Sequence, residues 1–107
     1  MRLKIDDIWS PDLDKPSSGQ PDDVRDFSVF MQVSVSQRFH RGYEVFQFFA
    51  CSTGKSQSEH QPALEFREFD WSAIRQKIGA LLDECGTCKT WDDVIAKLAP
   101  SLDYSDK

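Results

Sequence analysis

The residues most suggestive of chemistry are two cysteines, Cys85 and Cys88. Their C-x-x-C spacing occurs in redox enzymes, and in many zinc sites such a pair supplies two of the four ligands. Reactive thiolates of this type owe part of their low pKa to a helix N-terminus. The sequence instead predicts that Cys85 closes a helix, where the dipole disfavours negative charge. A structural zinc would need two more ligands, and Cys51, His40 and His60 form no second pair at the usual spacing. Two buried, reduced cysteines are therefore the simplest prediction, and a small thiol or zinc protein is an alternative.

Other chemistry-bearing residues form no recognisable catalytic set. His40 lies beside Arg38 and Arg41 in a predicted turn, and His60 lies in a polar stretch, so both are expected at the surface. The sequence has no phosphate-binding glycine loop, no paired-histidine metal motif and no calcium loop. Adjacent carboxylates fit a strand edge, a loop and a helix start, at Asp6-Asp7, Asp22-Asp23 and Asp92-Asp93. The sequence thus predicts a protein that is not an enzyme and has no catalytic residue, metal or cofactor.

Length and charge favour a single binding domain over residues 1–107. The chain has 107 residues, of which 39% are hydrophobic, and a formal net charge of −5. That charge is the wrong sign for binding a phosphate backbone, so direct nucleic-acid binding is not expected. No apolar run is long enough for a membrane span and no secretory signal is visible, so we expect a cytoplasmic protein. Residues 1–26 hold seven acids and four bases, which suits a basic partner.

The sequence pattern predicts strands in the first part of the chain and helices in the last part. Alternating apolar residues predict strands over 2–9, 27–36 and 43–51, the last two forming an antiparallel hairpin, and a fourth strand from Leu64 to near Phe69. The pattern predicts an α+β fold, a mainly antiparallel four-stranded sheet followed by two C-terminal helices packed on one face. A long loop over residues 10–26 and a tail over 101–107 that is frayed apart from Leu102 and Tyr104 complete the prediction.

The two predicted helices have clear boundary signals. Asp70 is a predicted N-cap for an apolar stripe from Trp71 to Cys85, with Gly86 as the residue that ends it. Thr90, with Asp93 three residues on, resembles a capping box, and Pro100 stops the second helix.

Several segments, taken in order, resemble the immunity protein 8 family of bacterial polymorphic-toxin and contact-dependent inhibition systems. Ser10-Pro11-Asp12 after the first strand is similar to that family's start, and residues 26–33 are similar to its central strand. The strand that ends in Cys51-Ser52 and the helix start Thr90-Trp91-Asp92-Asp93-Val94 also match. The chain departs from the family where a Pro is expected after Cys51 and where a Trp-Leu pair is expected in the loop over 52–62.

The resemblance implies a cytoplasmic antitoxin that neutralises the toxic C-terminal domain of a cognate bacterial toxin. It also implies that Phe46, Phe48 and Ala50 face the core, with Phe49 and Cys51 on the other face of the strand. Many such toxins attack nucleic acids and are basic, so we expect a nuclease bound by stoichiometric occlusion. The expected partner contacts are the loop acids and two residues of the third strand: Asp12, Asp14, Asp22, Asp23, Glu44 and Phe49. A generic acidic regulatory adaptor is the remaining alternative, and the oligomeric state is left open.

Overall fold

A computed structural model describes residues 1–54 and 62–105. It contains a mixed sheet with two helices, and the strand order is β1-β2-β3-β4, with β5 also paired to β3. The elements are β1 Leu3–Trp9, β2 Ser28–Gln37, β3 Glu44–Ser52, β4 Ala63–Phe66, α1 Trp71–Asp83, α2 Trp91–Leu98 and β5 Asp103–Tyr104. The α+β class and the order of strands before helices are confirmed.

The hairpin of β2 and β3 forms the centre of the sheet. Val33 pairs with Phe46, and Met31 pairs with Phe48, so the apolar residues of both strands share one face. That face is buried against α1 and α2 through residues such as Ile74 and Val94. The predicted inward orientation of Phe46, Phe48 and Ala50 is confirmed, because all three are fully buried. Both helices therefore cover this face of the sheet, and the opposite face, which we call the outer face, has no helix on it within the described residues.

The helix starts agree with the sequence, whereas the predicted end of α1 is wrong. The Asp70 side chain accepts a hydrogen bond from the Ser72 amide, and Thr90 Oγ1 accepts one from the Asp93 amide. However, α1 ends at Asp83 with Glu84 as its C-cap, and Gly86 does not have a positive φ. The chain leaves the helix through tight turns in which the Gly86 amide bonds the Asp83 carbonyl, so no left-handed residue is required.

The fourth strand is shorter than predicted and runs parallel to β3. It ends at Phe66, after pairing Ala63 with Phe49 and Phe66 with Ser52. Phe69 then leaves the sheet edge: its amide donates to the Val24 carbonyl at 2.7 Å, and its ring meets Phe27 edge-on at 5.5 Å. Because this aromatic contact buries Phe69 in the core, the strand cannot continue to it in an extended line.

Leu102 and Tyr104, the expected exceptions to fraying in the tail, pack against the protein, and Asp103 joins Tyr104 in a strand that was not predicted; residues 106–107 lie outside the described part. After α2 the Leu102 amide bonds the Leu98 carbonyl at 2.7 Å, which turns the chain back onto the core. Leu102 is fully buried, and Asp103–Tyr104 pair with Gln47 and Phe46 as a fifth strand. Burial of this leucine opposes fraying, so the sheet has five strands where four were predicted. Within the described residues, no helix has the length and apolar character needed to cross a membrane.

Candidate binding surface

The loop over residues 10–26 is held to the body of the protein at both ends. Ser10 is fully buried; its hydroxyl donates to the Phe30 carbonyl at 2.5 Å, and its amide donates to the Pro16 carbonyl at 2.8 Å. Leu13 inserts into the core, and the Val24 carbonyl accepts the Phe69 amide. The predicted absence of helix and strand is confirmed, and these bonds give the loop a defined path without either.

A glycine fixes the middle of the loop. The Trp71 indole N–H donates to the Gly19 carbonyl at 2.7 Å, which ties the loop to the first turn of α1. The Gly19 amide donates to the Lys15 carbonyl, and a Cβ at residue 19 would lie 2.9 Å from that same oxygen. Only glycine fits this close approach of two backbone segments. The loop is therefore a fixed platform for the side chains that point away from it.

Three of the four predicted loop acids line one cleft. Asp12, Asp14 and Asp22 are exposed and border a cleft of about 260 Å³. Apolar side chains also line it: Leu13, Pro21 and Val29. We call this the acidic cleft; the whole loop over 10–26 carries five acids and two bases. The arrangement can receive a cationic group beside an apolar one.

Asp23, the fourth predicted acid, lies next to the acidic cleft and does not line it. It is exposed, and its Oδ1 accepts a hydrogen bond from the Arg25 amide at 2.9 Å. The bond closes a turn of the loop, so Asp23 contributes charge near the cleft and shape to the loop. The Nε atom of Arg25 lies 3.9 Å from Oε2 of Glu68, and this exposed ion pair contributes little to stability.

An aromatic patch on the outer face adjoins the acidic cleft. Phe30 on β2 pairs with Phe49 on β3, and their rings lie 5.4 Å apart and half-buried. Gln32 lies two residues after Phe30 on the same face of β2, and its side chain accepts a hydrogen bond from the Trp9 indole N–H at 3.0 Å. Asp12 joins the two regions, because its Oδ2 accepts the Phe30 amide at 3.0 Å. Acids and exposed ring surface therefore form one continuous surface.

Phe49 and Glu44, the two expected partner contacts on the third strand, lie on opposite faces of β3. Glu44 pairs with Val35, on the face that the helices cover, and its Oε1 accepts the Tyr104 hydroxyl at 2.6 Å. Residues separated by an odd number along a strand point to opposite faces. Glu44 is thus bonded to β5 at the sheet edge and cannot act beside Phe49.

Trp9 and Phe30 belong to this surface and were absent from the predicted contacts. The available signal was Phe30, the one apolar residue on the otherwise polar face of its strand. Trp9 carried a weaker signal, because it follows the break in the alternation of β1. That break is a bulge between Ile5 and Asp7, which shifts the register against β2 and brings Trp9 opposite Gln32 on the outer face.

Comparison with known proteins identifies the family of this chain. The family model described as Immunity protein 8 matches residues 3–104, nearly the whole chain. The chain belongs to the immunity protein 8 family. A search of curated proteins and a search of solved structures each found no match. Membership implies that the partner is a cognate toxin and indicates a non-enzymatic role.

The cysteine pair of this immunity protein 8 family member lacks the properties of a reactive site. Cys85 is fully buried, and Cys88 is 9% exposed. Burial, together with a smaller contribution from the neighbouring Cys88, raises the pKa of the Cys85 thiol to about 11. The thiol therefore stays protonated at neutral pH, and a protonated thiol is not a nucleophile.

Among the described residues, the remaining candidate ligands do not assemble around these cysteines. Cys51 is buried on the outer side of β3, and its Sγ lies 3.5 Å from the Ser28 hydroxyl. His40 is exposed in the turn between β2 and β3, and His60 lies outside the described residues. Over residues 1–54 and 62–105, no group of three or more histidine, cysteine or acidic side chains is placed to hold a metal ion.

Proposed function

We propose that this member of the immunity protein 8 family is an antitoxin that binds the toxic C-terminal domain of a cognate bacterial toxin in the cytoplasm. It neutralises that domain by stoichiometric occlusion. The observation that carries the proposal is the continuity of the acidic cleft with the Phe30–Phe49 patch, joined through the Asp12 bond to the Phe30 amide.

The two halves of this surface have separate physical roles. The loop over 10–26 carries three more acids than bases, so it attracts a basic domain over about 8 Å in physiological salt. Complementary charge of this kind raises association rates to about 10⁸–10⁹ M⁻¹s⁻¹ at low salt, against about 10⁵–10⁶ for a neutral pair. The half-buried rings then supply apolar area at the centre of the interface, where binding energy is concentrated.

The proposed toxin is a nuclease, because a domain that holds a phosphate backbone carries a basic cleft. An acidic surface with apolar rings at its centre fits such a cleft in charge and can exclude the nucleic acid from it. Charge complementarity supports a nuclease as the partner, and an assay of nucleic-acid cleavage tests this directly.

The test is to mix the purified protein with the toxin domain encoded beside it and to measure complex formation and residual nuclease activity. We expect a one-to-one complex and complete inhibition at equimolar protein. The variant Asp14→Asn with Asp22→Asn should bind more slowly. The matched control is Asp83→Asn with Glu84→Gln, which removes the same charge at the far end of α1, and it should bind like the unaltered protein.

Failure to form a complex at micromolar concentrations would refute the proposed antitoxin role. Equal slowing by both double variants would show that net charge matters and the acidic cleft does not. A complex that leaves cleavage intact would contradict occlusion of a nuclease.

A further inference from the structure

The turn between β2 and β3 is an exposed aromatic tip. We define the hairpin tip as residues 37–43. Phe39 is 98% exposed, and Tyr43 is 63% exposed; they are the exposed large hydrophobic residues among residues 1–54 and 62–105. Phe39 also has a φ of 66°, in the left-handed region that bulky side chains avoid. A strained and fully exposed phenylalanine contributes little to folding, and its ring is free to contact another molecule.

The hairpin tip is positively charged. Arg38 and Arg41 flank Phe39 and His40, and residues 37–43 contain no acid. The Arg38 amide also donates to the Arg2 carbonyl at 2.9 Å, which brings a third arginine to this end of the sheet. The tip therefore presents an aromatic ring between guanidinium groups.

The acidic cleft has the complementary chemistry. Its lining combines polar side chains, among them the carboxylates of Asp14 and Asp22, with the apolar side chains of Leu13, Pro21 and Val29, of which Leu13 and Val29 are largely buried. At about 260 Å³ it has room for an aromatic ring, and the surrounding carboxylates would meet the flanking arginines. Charge and shape on this one chain thus match each other.

The matching parts cannot meet within one molecule. Leu3 of β1 pairs with Gln37 beside the hairpin tip, and Trp9 at the other end of β1 pairs with Gln32 and leads into the loop over 10–26. The tip and the acidic cleft therefore lie at opposite ends of the sheet, in a molecule whose longest extent is 39 Å.

We propose that the hairpin tip of one copy of this chain inserts Phe39 into the acidic cleft of a second copy. The contact joins two different surfaces, so it is head-to-tail and can extend to a third copy. The interface is small, and we expect a dissociation constant of about 0.1–1 mM that weakens with salt. If the cleft also binds the toxin, as the proposed function holds, self-association competes with toxin binding.

The experiment uses two variants that each lose one half of the contact, studied by sedimentation velocity at protein concentrations up to about 1 mM. Phe39→Gly removes the ring and keeps the acidic cleft. The pair Asp14→Lys with Asp22→Lys reverses the cleft charge and keeps the hairpin tip. Each variant alone should self-associate at least tenfold more weakly than the unaltered protein, while an equimolar mixture should form a one-to-one heterodimer that does not grow further.

The mixture decides between this contact and its rivals. A monomeric unaltered protein at the highest concentration would overturn the proposal, as would self-association without a heterodimer in the mixture, because that result indicates a symmetric contact. Binding of anionic phosphatidylserine vesicles, lost in Phe39→Gly, with no self-association would overturn it in favour of a lipid surface. Toxin inhibition by Phe39→Gly is a separate readout, so failure of self-association leaves the antitoxin proposal intact.

Discussion

Replacing Phe39 by glycine should stabilise the protein, although it removes a large aromatic side chain. A residue in the left-handed region costs about 1–2 kcal/mol when it carries a Cβ. The φ of 66° at Phe39 places it there, and glycine adopts this conformation without the penalty. Because the side chain is 98% exposed, its removal sacrifices almost no buried apolar area.

The expected gain in the free energy of unfolding is smaller than the strain energy that the Phe39→Gly substitution relieves. Glycine increases the conformational entropy of the unfolded chain, an offset of about 0.5–1 kcal/mol. The net stabilisation is then about 0.5–1 kcal/mol, and for a domain of this size it corresponds to a rise of about 2–6 °C in Tm. Thermal unfolding followed by circular dichroism, at a protein concentration low enough to exclude self-association, measures this rise.

The matched control is Phe39→Ala, which removes the ring and keeps the Cβ in the strained conformation. It should change Tm by little, corresponding to less than about 0.5 kcal/mol. A fall in Tm for the glycine variant, or an equal rise for both variants, would refute the reasoning. The first result would mean that the ring packs against the protein, and the second that the backbone is not strained.

Three further predictions concern the outer face, the loop platform and the buried thiol. Phe49→Ala should weaken toxin binding at least tenfold in isothermal titration, about 1.4 kcal/mol, because a central ring is lost; unchanged affinity would place the interface elsewhere. Trp71→Phe removes the indole donor to Gly19, so limited proteolysis within residues 10–26 should accelerate; no acceleration would mean that the other anchors suffice. The pKa of Cys85 is about 11 in the folded protein, above the ordinary value of 9.0. As the pH rises, the unfolded chain therefore loses this proton before the folded protein does. The free energy of unfolding should fall between about pH 9 and 11. Cys85→Ala should show a smaller fall over that range in urea titrations, and identical pH profiles would contradict the raised pKa.

The central elements were predictable because local pattern and tertiary contact agree there. The alternation in β2 and β3 places Val33 and Phe46 on one face, and the caps at Asp70 and Thr90 depend only on neighbouring residues. Such signals require no knowledge of the rest of the chain.

The elements that were missed depend on distant partners. Phe69 looks like the end of a strand by alternation, but its ring packs on Phe27, more than forty residues away. Leu102 lies in a short acidic tail, and only its place in the core reveals β5. The position of the Glu44 side chain also depends on a distant residue, because its Oε1 accepts the hydroxyl of Tyr104.

The acidic character of the candidate surface was predicted from the sequence, but only some of the residues that form it were. The density of acids in residues 10–26 is visible in the sequence, but the cleft that Asp14 and Asp22 share depends on the Ser10 and Gly19 anchors. These anchors bond Phe30 and Trp71, so the geometry of the loop is set by residues outside it.

The most direct test of the central claim is the association rate of this protein with its cognate toxin domain, measured by stopped flow at about 0.05 M and about 0.5 M salt. The acidic surface predicts a one-to-one complex whose association rate falls at least tenfold over this range, while the dissociation rate, set by the apolar contacts, changes little. An association rate independent of salt, or the absence of a complex, would contradict the claim that this fold works by covering a basic partner.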